Sequence, residues 1–373
     1  MDCKWEVDGE IHIYEERHVK RYLIAPMTMI PRLLKLHNGD LLAIVRAGDF
    51  HFGERGRLDC VRSCDGGISW GQPSVVVADG PDDCDPAVIQ CCNGTILVMF
   101  SKLYYYLNGQ WSEEKWLEEK GKENKPFIWI TRSDDNGHTW SAAIPVQGLP
   151  RDVTAVYGRM VQLPDGSIWT NVRPGCDIAR SRDLGRTWGE CSASGFDSEV
   201  AFLPLPSGKV IAVTRRNPEH LSDVQQEPYS LWQSDSFDGG CTWSETRKLT
   251  GYMEHPADLL LLETGNILLT YGRRRSPYGI QAMLSYDQGV TWDVNHKIAL
   301  VCDAENMEVG YPSSVQLDDG TICTAYYAYQ DPFHITARFR GYHSWGLHTA
   351  VVRYREEDIL PQGLTRRRHS TRP

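Results

Sequence analysis

Apolar residues run along this chain in pairs of short stretches, each pair divided by a polar turn with a glycine at its centre. The segments IPRLLKLHNGDLLAI, DPAVIQCCNGTILVM, YGRMVQLPDGSIWTN, EVAFLPLPSGKVIAV, HPADLLLLETGNILLT and YPSSVQLDDGTICTA carry this pattern around Gly39, Gly94, Gly166, Gly208, Gly265 and Gly320. Two apolar runs about an NG or DG type of turn predict a β-hairpin. Helical periodicity is nearly absent from the chain.

A polar pattern is interleaved with the first. SCDGGISW (63–70), SDDNGHTW (133–140), SRDLGRTW (181–188), SFDGGCTW (236–243) and SYDQGVTW (285–292) share the skeleton SxDxGxTW, relaxed only at Ser69. A catalytic constellation is needed once per site, whereas a device needed by every repeat occurs once per repeat, so the octet reads as structure. Asp accepts hydrogen bonds from nearby backbone N–H groups, Gly supplies a positive φ, and Ser or Thr adds local bonds. The trailing Trp is expected to bury its ring between neighbouring units.

Each hairpin except the last continues into a third run that enters an octet, and then into a fourth strand-like piece such as KIALVC. Four strands in each of six units predict an all-β fold, a six-bladed β-propeller forming one domain over residues 1–360. The last unit lacks an octet, and its outer strand is expected from the N-terminal EIHIYEE, which would close the ring. Residues 361–373 are basic and apolar-poor, and are expected to be a disordered tail. The longest insertion, KLYYYLNGQWSEEKWLEEKGKENKPF at 102–127, reads either as a lid over a central pocket or as a contact between copies of a homo-oligomer.

Charge and composition narrow the partners. A formal charge of −10 opposes nucleic-acid binding through the general surface, and no apolar run approaches the roughly 18 residues of a membrane span. The N-terminus carries acids where a secretory leader is basic, so a cytoplasmic location is expected. The eleven cysteines are scattered without CxxC spacing, which is neither a disulfide framework nor a zinc site. The acids of DGPDDCDPAV lack calcium-ligand spacing and read as a surface loop.

Five such octets on six hairpin units resemble the sialidase (neuraminidase) superfamily of Asp-box, or BNR-repeat, propellers, from about residue 22 to about residue 355. In that family a nucleophilic tyrosine lies at a set distance before one hairpin glycine. Tyr311 of GYPSSVQLDDG occupies that offset, with Pro312 in place of the usual small residue. The resemblance assigns Glu199 of SEVAFLPLPSG as the base for the tyrosine and Arg215 of GKVIAVTR as one member of a carboxylate-binding arginine triad. The position of the arginine in the family's RIP motif is Met29 in MIPRLLKL, and Arg32 follows it. Arg32 and Arg159 occupy equivalent places in their units, while Arg46 and Arg173 share the offset of Arg215. For the third triad place, YGRRRSPYGIQ offers Arg273, Arg274 and Arg275, with Arg274 favoured by spacing. The acid/base residue is expected in AGDFHFGERGRLDC as Asp49, with Glu54 in reserve.

These assignments are chemically coherent. A phenol with a pKa near 10 needs an adjacent carboxylate as base, and a neutral nucleophile avoids repulsion from a substrate carboxylate. Guanidinium groups bind that carboxylate bidentately. The resemblance thus implies an exo-glycosidase that removes a terminal sialic acid or related sugar acid from a glycan with retention, with no metal or organic cofactor. The alternatives are a propeller glycosidase for another, neutral sugar, as in exo-arabinanase-like relatives, a non-catalytic glycan-binding propeller, and a scaffold for protein partners. Hydrogen-bond reach between Tyr311 and Glu199 separates enzyme from binder.

Overall fold

The computed structural model describes residues 2–7, 10–48, 56–79, 82–104, 106, 107, 110–112, 114, 118, 126–150, 152–174, 177–192, 195, 196, 198–217, 229–329 and 346–360. The hairpins form where the apolar pairs place them. Thr28–Lys35 pairs with Leu41–Ala47, Asp82–Gln90 with Ile96–Leu103, and Ala155–Gln162 with Ile168–Arg173. Val200–Pro204 pairs with Val210–Arg216, Glu254–Leu261 with Ile267–Arg273, and Val309–Gln316 with Thr321–Tyr329. The first turn shows the reason for the glycine. Gly39 has φ 90° while its N–H returns to the Leu36 carbonyl at 2.9 Å, a conformation that costs a side chain but not glycine.

The first strand of each hairpin lies innermost and touches its counterpart in the next unit, and Val309–Gln316 returns to Thr28–Lys35. Third and fourth strands build outward, as in Arg57–Ser63 followed by Ser74–Val77. The fold is therefore a β-propeller. Its core is divided into clusters between adjacent units, where both faces of each sheet are covered. Leu34, Leu42 and Ile44 meet Val88, Ile96 and Val98 in one of them, for example.

The octets staple these clusters, as their composition predicts. In the first, Ser63 Oγ accepts from Gly67 N at 2.8 Å and donates to Asp65, while Asp65 accepts from Ser69 N at 2.9 Å. Ser236, Asp238, Gly240 and Thr242 repeat these bonds. Trp70, Trp140, Trp188, Trp243 and Trp292 each pack into a different cluster between units. Bonds from the Ser69 and Thr242 hydroxyls and backbone N–H groups hold Asp65 and Asp238 down at about 2. Because the folded-state pKa is depressed, this stabilisation is complete above about pH 4 and is lost as the pH falls toward 2. Melting temperature is expected to drop across that window, and to drop less steeply in Asp238→Asn. A flat profile from about pH 5 to about pH 2.5 would remove the octets from the account of acid stability.

Two expectations are corrected. The strand closing the last unit is Lys20–Pro26, which pairs with Leu347–Arg355, and not EIHIYEE. Glu10–His18 instead pairs with Asp2–Val7, which extends the neighbouring sheet through Lys297–Ala304. Glu10–His18 carries the alternation, whereas Lys20–Pro26 buries the consecutive Ile24 and Ala25 against Leu33 and Val351, between the first unit and the last. Of the acids of DGPDDCDPAV only Asp79 is on the surface, since Asp82, Asp83 and Asp85 are buried within the innermost strand Asp82–Gln90. Basic partners on adjacent strands explain this. Arg46 binds Asp82, Lys102 lies 3.8 Å from Asp83, and burial pushes Asp83 up to about 7 despite that lysine. More than half of the 102–127 insertion and all of the 361–373 tail lie outside the described residues.

Candidate active site

At one end of the axis the innermost strands are irregular. Register shifts fall between Met29 and Arg32, Cys84 and Ala87, and Gly310 and Ser313, and at each the residue before a proline has a positive φ: Ile30 at 51°, Asp85 at 51° and Tyr311 at 48°. A bulky residue before proline ordinarily avoids this region, and holding it there costs on the order of 1–3 kcal/mol. The bulge turns the Tyr311 ring into a buried aromatic group with Tyr157 and Tyr327, backed by Met29 and Ile30.

Glu199 stands just ahead of Val200–Pro204, and its carbonyl accepts from Arg215 N at 3.0 Å. The Tyr311 hydroxyl donates to Glu199 Oε1 at 2.6 Å. Arg215 Nη1 donates to Glu199 Oε2 at 3.0 Å, and Arg173 Nη2 lies 3.7 Å from Oε1. Burial pushes the Glu199 carboxyl up, but Arg215, then Arg173, then the tyrosine bond overcome it and hold the group well below the usual carboxylate range. Burial first, and the Glu199 charge second, push the Tyr311 phenol well above its ordinary value. The pair therefore rests as neutral phenol and carboxylate, joined by a bond along which a proton can move.

Arg274 covers the other side. Its guanidinium lies 5.4 Å from the Tyr311 ring centroid, with Nε donating to the Val309 carbonyl at 3.0 Å and Nη2 to Tyr327 Oη at 3.3 Å. Burial, then the charges of Arg274 and Arg215, keep His255 neutral. Among the described residues no group of three or more His, Cys, Asp and Glu is arranged to hold a metal ion.

Residues 86–323 match the BNR repeat-like domain family. The chain belongs to that family. No curated protein matches it. Solved structures share the fold of this BNR repeat-like chain. A Dyadobacter fermentans protein of unknown function is 22% identical with a TM-score of 0.70, over 90% of this chain and 98% of that one. The Hadza microbial sialidase Hz136 is 20% identical at 0.65, over 90% and 66% respectively. A Penicillium chrysogenum α-L-arabinanase is 16% identical at 0.57, over 91% and 96%.

The residues picked from the sequence do not all enter this cluster in the same way. Tyr311, Glu199, Arg215 and Arg274 come together. Arg32 is 2% exposed and packs against the faces of Tyr157 and Tyr311 at 4.8 and 5.6 Å, with Nε and Nη1 donating to the Pro86 and Pro31 carbonyls. Asp49 and Glu54 lie outside the described residues. Two residues gain weight instead. Arg173 stood in the sequence only as one of several arginines at the offset of Arg215. Asp85 was hidden in the misread acidic run, although it holds the same place before Gly94 as Tyr311 holds before Gly320.

Proposed function

We propose that this BNR repeat-like chain, with six blades and its octets serving as Asp boxes, is a retaining exo-glycosidase that releases a terminal sialic acid or a related sugar acid from a glycan. The observation that carries the reading is the 2.6 Å bond from Tyr311 Oη to Glu199 Oε1, with the carboxylate held between arginines. Enzyme rather than passive binder is favoured because a base lies in contact with a nucleophile.

The electrostatics supply a trigger. While Arg215 is bound to Glu199, the carboxylate is a weak base. A substrate carboxylate arriving at Arg215 and Arg274 competes for guanidinium charge, and Glu199 becomes more basic as a result. Glu199 then takes the Tyr311 proton as the phenol oxygen forms its bond to the anomeric carbon. The glycosidic bond breaks, and its oxygen is protonated by an acid from the loop after the first hairpin, with Asp49 proposed for that role and Glu54 in reserve. Water then attacks the anomeric carbon, giving a proton to the loop acid in its carboxylate form, as the Tyr311–sugar bond breaks and the phenolate takes back the proton held by Glu199.

Met29 in place of the family's first arginine favours a second reading, a neutral sugar substrate. A panel of aryl glycosides of sialic acid, other sugar acids and neutral sugars separates the two. Release from an acid is expected at a kcat/KM at least about 10²-fold above any neutral sugar, since a site built around polar partners rejects ligands that leave them unpaired. Preference for a neutral sugar would replace the first reading by the second, and no release from any member would count against both.

A further inference from the structure

We infer that Arg173 supplies the guanidinium that Met29 lacks, so that the acid group of the ligand is seated between units three, four and five by Arg173, Arg215 and Arg274. This rests on the reading of the site as one for a sugar acid. It adds a residue that the family resemblance does not assign.

The arginines around the axis differ in what they have left to offer. Arg46 is 1% exposed and already commits Nε and Nη2 to Asp82 at 3.0 and 2.6 Å, so its charge is balanced within the wall. Arg32 packs on the tyrosine rings and donates Nε and Nη1 to two backbone carbonyls, which leaves Nη2 buried without a partner. Its burial shuts it off from a ligand of sugar size. Arg173 is different. Its side chain is 30% exposed at the end of Ile168–Arg173, and Nη2 stands 3.7 Å from Glu199 Oε1, too long for a made hydrogen bond. The neighbouring Arg215 is 19% exposed and contacts the other oxygen of the same carboxylate.

Two accessible guanidiniums thus flank one buried carboxylate, with Arg274 across the Tyr311 ring. Among the described residues in direct contact with this trio, Glu199 is the one carboxylate bound by two of its members. The charges of Asp85 and Glu308 also act on Arg173 and Arg274, so what the trio offers an incoming anion is its guanidinium forks, which match a carboxylate in geometry as well as charge. The place of the family's first arginine is taken by Met29, packed with Ile30 behind the tyrosine rings, and the nearby Arg46 is bound to Asp82. The acid group therefore sits nearer Glu199 than a cluster including the first unit would hold it.

Calorimetry in a Tyr311→Phe background measures this without turnover. The probes are free N-acetylneuraminic acid and its amide, which differ in the charge of one group. Arg173→Met is expected to weaken binding of the acid by about tenfold to hundredfold and to leave the amide unchanged, the scale of one charge-assisted hydrogen bond. Arg173→Lys should recover part of the loss, and Arg32→Met should not alter the ratio of acid to amide. If Arg173→Met leaves that ratio at the wild-type value, the inference is overturned, even where the glycoside panel shows turnover of sugar acids. If the parent protein does not prefer acid to amide, the sugar-acid reading and this inference fall together.

Discussion

Tyr311→Phe is expected to lower kcat on the best aryl glycoside by on the order of 10⁴-fold or more, the scale on which deleting a nucleophile acts in other hydrolases. The substitution removes one oxygen from a buried ring and leaves Glu199 still bound by Arg215. Packing against Tyr157 and Tyr327 is preserved, so the melting temperature should stay close to that of the parent. KM is expected to change much less than kcat, because the groups that hold the acid are untouched. Single-turnover experiments on the parent should trap the sugar on Tyr311, visible by mass spectrometry of the protein digest. Full activity in the Tyr311→Phe variant, or a label found on another residue of the parent, would sink the covalent mechanism.

The second large effect is on stability. Arg46 and Asp82 form an ion pair between the middle strand of one unit and the innermost strand of the next, with side chains 1% and 0% exposed. Asp82→Asn leaves the guanidinium in place and removes the charge that balances it. Breaking a buried pair from one side costs about 3–5 kcal/mol, since the remaining ion stays desolvated. Urea denaturation should show the midpoint falling by a corresponding amount with little change in slope. Replacing both partners, Arg46→Met with Asp82→Leu, should recover much of the loss because no buried charge is then stranded. Equal midpoints for parent and Asp82→Asn would mean that water reaches the pair.

What was legible in the sequence was whatever local physics repeats. The hairpin glycines and the octets are short-range devices, each satisfied by its own neighbours, so their recurrence specifies a propeller without reference to distant contacts. Glu199 and Tyr311 were reached through the family resemblance, with the repeat serving as the ruler that located its offsets. Side-chain choice among equivalent positions was not. Arg46, Arg173 and Arg215 share one offset, yet Asp82 neutralises the first while Glu199 draws the other two toward the axis. Which acid stands beside which arginine is a property of neighbouring strands. The run containing Asp82, Asp83 and Asp85 looked solvated for the same reason, since its partners Arg46 and Lys102 lie elsewhere in the chain. The closing strand was misplaced because alternation points to Glu10–His18, whereas the apolar pair Ile24 and Ala25 of Lys20–Pro26 finds its cluster only with distant strands.

That closing strand bears on how the molecule is made. Lys20–Pro26 is synthesised well before its partner Leu347–Arg355, with most of the propeller between them. At ordinary rates of translation the first of these waits for roughly half a minute before the second exists. During that interval the nascent chain carries an unpaired strand edge open to other chains, and the ring cannot be sealed. Production of this protein should therefore depend on shielding during synthesis more than its finished stability suggests, with losses appearing as aggregation of nascent chains rather than as unfolding of the completed ring.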